Sequence, residues 1–84
     1  MTEQNNNLAY PATFTPDEGG GYAVTFRDVP EAITQGDTFE DAKEMASFAL
    51  AVAFEFYSED DRELPKPSQA QRGEVLIEVK QLQD

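Results

Sequence analysis

From Thr38 to Tyr57 the chain runs without a glycine or a proline, and no other feature constrains the fold as strongly. Gly36-Asp37-Thr38 reads as a helix start. The Thr38 hydroxyl can accept from first-turn amides, while Glu40 and Asp41 oppose the positive end of the helix dipole. Ser58-Glu59-Asp60-Asp61 ends the helix, and Pro65 and Pro67 prevent its resumption. A helix over Thr38–Tyr57 is roughly 30 Å long at 1.5 Å per residue. Ala42, Met45, Ala46, Ala49, Val52, Ala53 and Phe56 form a stripe suited to packing on a sheet. Phe48 flanks it on one side, and Leu50, Phe54 and Tyr57 flank it on the other. The apolar arc then spans roughly 240°, about twice what a surface helix needs. Either neighbouring segments wrap both flanks, or one flank is an interface. The interface is preferred, with Phe48 and Val52 as self-association residues of a homodimer or higher oligomer.

A helix this apolar needs a sheet, and the flanking segments supply one. Leu8, Tyr10, Ala12 and Phe14 alternate with Ala9, Pro11, Thr13 and Thr15, then Tyr22, Val24 and Phe26 alternate with Ala23, Thr25 and Arg27. Such period-two patterns on either side of Asp17-Glu18-Gly19-Gly20-Gly21 read as a β-hairpin. Pro11 cannot donate to a ladder, so regular pairing is expected to begin near it. After the turn at Asp28-Val29-Pro30, Ala32–Gln35 reads as a short edge strand, and Val75, Ile77 and Val79 as a last strand. The expected fold class is α+β with the order β-β-β-α-β. A three-stranded antiparallel meander carries one helix on one face, and a fourth strand lies beside and parallel to strand one. At 84 residues this is one domain. Residues 1–7 form a disordered lead-in, 8–80 the folded binding domain and 81–84 a tail.

Charge selects the partners. Seventeen acidic residues against six basic ones leave a net charge of −11. Such a surface repels phosphate backbones and anionic membranes and draws in a basic protein, although acidity also serves solubility alone. The chain has no cysteine and no histidine, so thiolate chemistry, disulfides and the commonest general base are unavailable. No signal peptide or membrane span is visible, and a cytoplasmic location is expected by default.

Catalysis finds little support. Asp28, Glu31 and Asp37 near strand ends, and the adjacent Asp60 and Asp61, are carboxylates of the kind a divalent-metal nuclease uses. No histidine, EF-hand spacing or other ligand pattern completes a site. Gly19-Gly20-Gly21 joins two strands and lacks a following lysine, so it is no phosphate cradle. Ser47, Ser58 and Ser68 have no histidine partner. No metal or cofactor is expected, and the chain reads as a binding protein rather than an enzyme.

Three segments together carry a family resemblance: Tyr10-Pro11-Ala12-Thr13-Phe14, Gly20-Gly21-Tyr22-Ala23-Val24-Thr25-Phe26-Arg27-Asp28-Val29-Pro30-Glu31-Ala32, and Thr34-Gln35-Gly36-Asp37-Thr38-Phe39-Glu40-Asp41-Ala42. With Phe54-Glu55-Phe56-Tyr57 and Pro65-Lys66-Pro67-Ser68, the pattern from Leu8 to Val79 resembles the HicB family of antitoxins. The resemblance implies a partial RNase H-like domain that covers the active face of a HicA-type toxin, a small basic mRNA-cleaving ribonuclease. Carboxylates would then stand in for RNA phosphates. By position, Asp28, Glu31, Tyr57, Glu59, Asp60 and Asp61 are the candidate toxin contacts. Members usually continue into a DNA-binding domain; no nucleic-acid binding is assigned to these residues. The alternatives are a divalent-metal nuclease on the same scaffold and a stand-alone oligomeric binding domain.

Overall fold

The computed structural model describes residues 8–79; the expected lead-in and tail lie outside them. Strand β1 (Ala9–Pro16) and β2 (Tyr22–Phe26) form the hairpin, β3 (Thr34–Gly36) follows, α1 (Phe39–Glu59) crosses the sheet, and β4 (Glu74–Glu78) returns to it. The sheet order is β3-β2-β1-β4, so the α+β class, the single helix and the position of β4 beside β1 agree with the sequence. Pairing runs Ala12↔Phe26 to Pro16↔Tyr22 in the hairpin, and Gly20 and Gly21 take positive φ angles in its turn. The edge strand lies slightly later than expected, because Ala32 is spent on the core and its amide closes a turn onto the Val29 carbonyl.

One expectation is corrected. Strand β4 pairs antiparallel with β1, Ala9↔Glu78 to Thr13↔Glu74, where a parallel strand was expected. The cause is the strap between α1 and β4. Helix α1 starts beside the hairpin, where Phe39 lies tilted against Phe14 and edge-on to Tyr22, and ends beyond the other end of the sheet. A parallel strand would begin at that far end. The strap instead climbs back, held by three tethers: Tyr10 Oη donates to the Pro65 carbonyl at 2.6 Å, the Asp28 carboxylate accepts from the Ser68 amide and hydroxyl at 2.7 and 2.8 Å, and Arg27 donates to the Gln69 carbonyl at 2.8 Å. Gly73, at φ +89°, then reverses the chain into β4. Arg27 also grips Glu74 through two bonds of 2.8 and 3.0 Å. That guanidinium holds the Glu74 carboxyl below the usual carboxylate range.

Pro11 does sit inside β1, opposite Leu76. It is tolerated because pairing with β2 starts only at Ala12, so at Pro11 the strand has a neighbour on one side alone. The core lies between sheet and helix: Tyr10, Ala12, Val24, Phe26 and Ile77 from the strands, Val29 and Ala32 from the β2–β3 loop, and Ala42, Ala46, Leu50, Ala53 and Tyr57 from α1. Among the described residues, no helix is long and apolar enough to cross a membrane.

Candidate protein-binding surface

Helix α1 faces the sheet differently from the sequence-based stripe. The buried line is Ala42, Ala46, Leu50, Ala53 and Tyr57, with Phe54 packed edge-on against Tyr10 at 5.4 Å. Three alanines on that line let the helix backbone come close to the strands, and the larger rings fill the space beyond the sheet's end. Ser47 donates to the Glu78 carbonyl at 2.6 Å, and Ala51, one turn on, is buried. The helix is therefore rolled toward its Leu50–Phe54–Tyr57 flank. Met45 and Phe56, expected to pack on the sheet, are 43 % and 58 % exposed. Phe48, proposed for self-association, is 44 % exposed, and Val52 is half-buried next to it.

The six acidic-end candidates divide into two groups. Asp28, Glu31 and Tyr57 are engaged by partners within the chain, Glu31 while remaining exposed. Asp28 clamps Ser68 as described, and the Tyr57 hydroxyl donates to Glu31 Oε1 at 2.9 Å. Arg62 reaches Glu31 Oε2 at 3.4 Å and lies over the Tyr57 ring, 4.0 Å from its centroid. Hydrogen bonding, first from its own backbone and then from Tyr57, lowers the Glu31 pKa. Burial and that same carboxylate raise the Tyr57 pKa. These contacts lock the β2–β3 loop and the strap onto the end of α1.

Glu59, Asp60 and Asp61 form the second group, and all three are exposed. The backbone sets them there. The Asp61 amide donates to the Ser58 carbonyl and the Arg62 amide to the Tyr57 carbonyl, 3.1 and 2.9 Å, the paired bonds of a Schellman cap. Its left-handed position, usually glycine, is Asp61 at φ +57°. No basic residue occupies the last helical turn, so carboxylates stand where the dipole favours cations. Among the described residues, only Asp60 of the three has an ion-pair partner, Arg62 Nε at 3.7 Å. Both features cost stability. We expect Asp61→Gly to raise stability by about 0.5–1 kcal/mol, through relief of the left-handed strain and of one unfavourable charge. A thermal melt should show a Tm higher by roughly 2–8 °C.

Sequence reasoning missed the exposure of Met45 and Phe56, and also a groove of about 430 Å³ between β3 and the start of α1. Gln35, Gly36, Asp37, Asp41, Glu44 and Met45 line it. The run of acidic residues at Asp37, Asp41 and Glu44 was the available signal. Among the described residues, no group of three or more Asp or Glu side chains is placed to hold a metal ion.

Comparison with known proteins bears on what this surface serves. A family model described as the HicB-like antitoxin of bacterial toxin–antitoxin systems matches residues 9–83. Antitoxin HicB 1 of Photorhabdus laumondii is 59 % identical over 73 residues, covering 87 % of this chain and 46 % of that protein. Antitoxin HicB of Escherichia coli is 49 % identical over 72 residues, covering 86 % of this chain and 52 % of its own length. The chain thus spans about half the length of these relatives. A match over nearly all the described residues, on a fold that the same segments build, assigns the chain to the HicB-like family of antitoxins.

Proposed function

We propose that this chain is the toxin-neutralising part of an antitoxin: it binds a small basic HicA-type ribonuclease and covers the face that would grip mRNA. It acts by occupancy, without catalysis, and in the cytoplasm, where the toxin's substrate is. The observation that carries this reading is the trio of exposed carboxylates at Glu59, Asp60 and Asp61, kept at a helix end where the dipole disfavours all three and the left-handed backbone disfavours Asp61 as well. A chain carrying −11 overall surrounds that trio with a field that accelerates the approach of a cationic partner. Asp28, Glu31 and Tyr57 support the contact indirectly, by fixing the loop and strap around it.

The test is RNA cleavage by a HicA-type toxin titrated with the purified chain, alongside co-purification of the two proteins. Cleavage should fall to background near stoichiometric ratio, with the pair eluting together at moderate ionic strength. Undiminished cleavage and separate elution would reject the reading.

A further inference from the structure

The exposed side of α1 carries more than the acidic end. Met45, Phe48, Val52 and Phe56 follow one another at spacings of three and four residues, so they form a straight apolar row over about three turns. Three of the four are more than two-fifths exposed. Glu44 and Glu55, both exposed, lie along one border of the row, and Asp41 and Glu59, also exposed, continue it beyond its two ends. At its N-terminal end the row runs into the groove lined by Asp37, Asp41, Glu44 and Met45. At its other end it meets the carboxylates of the helix terminus. An apolar seam with an acidic border and an acidic socket is a single surface, continuous with the candidate site.

Two occupants fit an apolar seam, and charge separates them. A second copy would bring the same acidic border and the same net charge of −11. Its own α1 offers that border one lysine, Lys43, which already pairs with Glu40 and sits over the Phe39 ring. An element that alternates apolar residues with Lys or Arg satisfies seam, border and socket together.

We propose that this face docks a cationic amphipathic helix of the toxin, with its apolar ridge on Met45, Phe48, Val52 and Phe56 and a Lys or Arg side chain in the groove between Asp37 and Asp41. The proposal rests on the antitoxin reading and says which surface performs it. Buried aromatic anchors dominate such interfaces, and the charged rim sets rate and orientation.

The experiment titrates a catalytically silenced HicA-type toxin into the full chain and its variants by calorimetry, with light scattering on each free chain. Phe48→Ser combined with Phe56→Ser should weaken binding by about thirtyfold or more, and the loss should persist at high salt because apolar contact is removed. Asp37→Asn with Asp41→Asn should weaken it by about three- to tenfold, an effect that salt erases. Should the double serine variant fold poorly, Met45→Lys makes the same test on an exposed position where helix propensity is kept. Unchanged toxin affinity in the serine and lysine variants overturns the proposal. So does a fall in the free chain's mass from dimer to monomer with affinity intact, which would give the seam to a second copy. If the unaltered chain does not bind the toxin, the antitoxin reading itself fails and takes this proposal with it.

Discussion

Gly36→Ala should be severely damaging for a change of a single methyl group, costing on the order of 3 kcal/mol and lowering Tm by roughly 12–24 °C. Gly36 ends β3 directly beneath the first turn of α1. A Cβ there would collide with the Ala42 amide nitrogen, lie 2.6 Å from the Ala42 Cα and lie 2.8 Å from the Asp41 carbonyl carbon. All three are backbone atoms of the helix, so no side chain can swing aside. The helix would have to lift from the edge strand, opening the core at Ala42 and Ala46, both fully buried. Gly19 provides the control, because a Cβ on it meets nothing within 4 Å and its φ is not in the left-handed region. Gly19→Ala should be neutral or stabilise by about 0.4–1 kcal/mol through the unfolded chain. Equal melting temperatures for the two variants would mean that α1 does not rest on β3 as described.

Gly36 also shows what a single sequence can and cannot convey. Its place before Asp37-Thr38 announces a helix start, and Thr38 is indeed the N-cap, its hydroxyl accepting from the Asp41 amide at 3.0 Å. The same letter gives no sign that two backbones touch there. Local chemistry was legible throughout: the alternation of β1 and β2, the glycine turn, the N-cap, and the Ser58–Asp61 stretch that ends the helix. Contacts made far along the chain were not. The direction of β4 depends on tethers such as Asp28 to Ser68, forty residues apart, and periodicity is blind to these. Helix facing failed for a related reason. With an apolar arc far wider than a sheet can cover, hydrophobicity points to the middle of the arc, whereas packing chose the side where alanines permit close approach. The acidic candidates divided in the same way. Composition marks Asp28, Glu31 and Glu59 alike as carboxylates, and only the fold shows that two of them are already engaged.

That division makes the strongest functional prediction a selective one. The variant Glu59→Lys, Asp60→Lys, Asp61→Asn should bind a HicA-type toxin about ten- to a hundredfold more weakly at low salt, about 1.4–2.8 kcal/mol. Each exposed pair contributes little by itself, but a cation facing a cationic toxin replaces attraction with repulsion, and the approach rate suffers most. Salt gives the signature. Affinity of the unaltered chain should fall as ionic strength rises, since the favourable field is screened, while the variant's should fall less or even recover. Loss of folding would not explain such a result. Lysines at the end of α1 suit the dipole, asparagine tolerates the left-handed angle of Asp61, and the Asp28–Ser68 and Glu31–Tyr57 locks stay untouched, so Tm should hold or rise. By contrast, Asp28→Ala leaves the Ser68 amide without its acceptor and should lower Tm before it alters the charge dependence of binding. If the variant binds as tightly as the unaltered chain, with the same salt slope, these three carboxylates are not where the toxin's cations land, and the misplaced charge at the end of α1 has another cause.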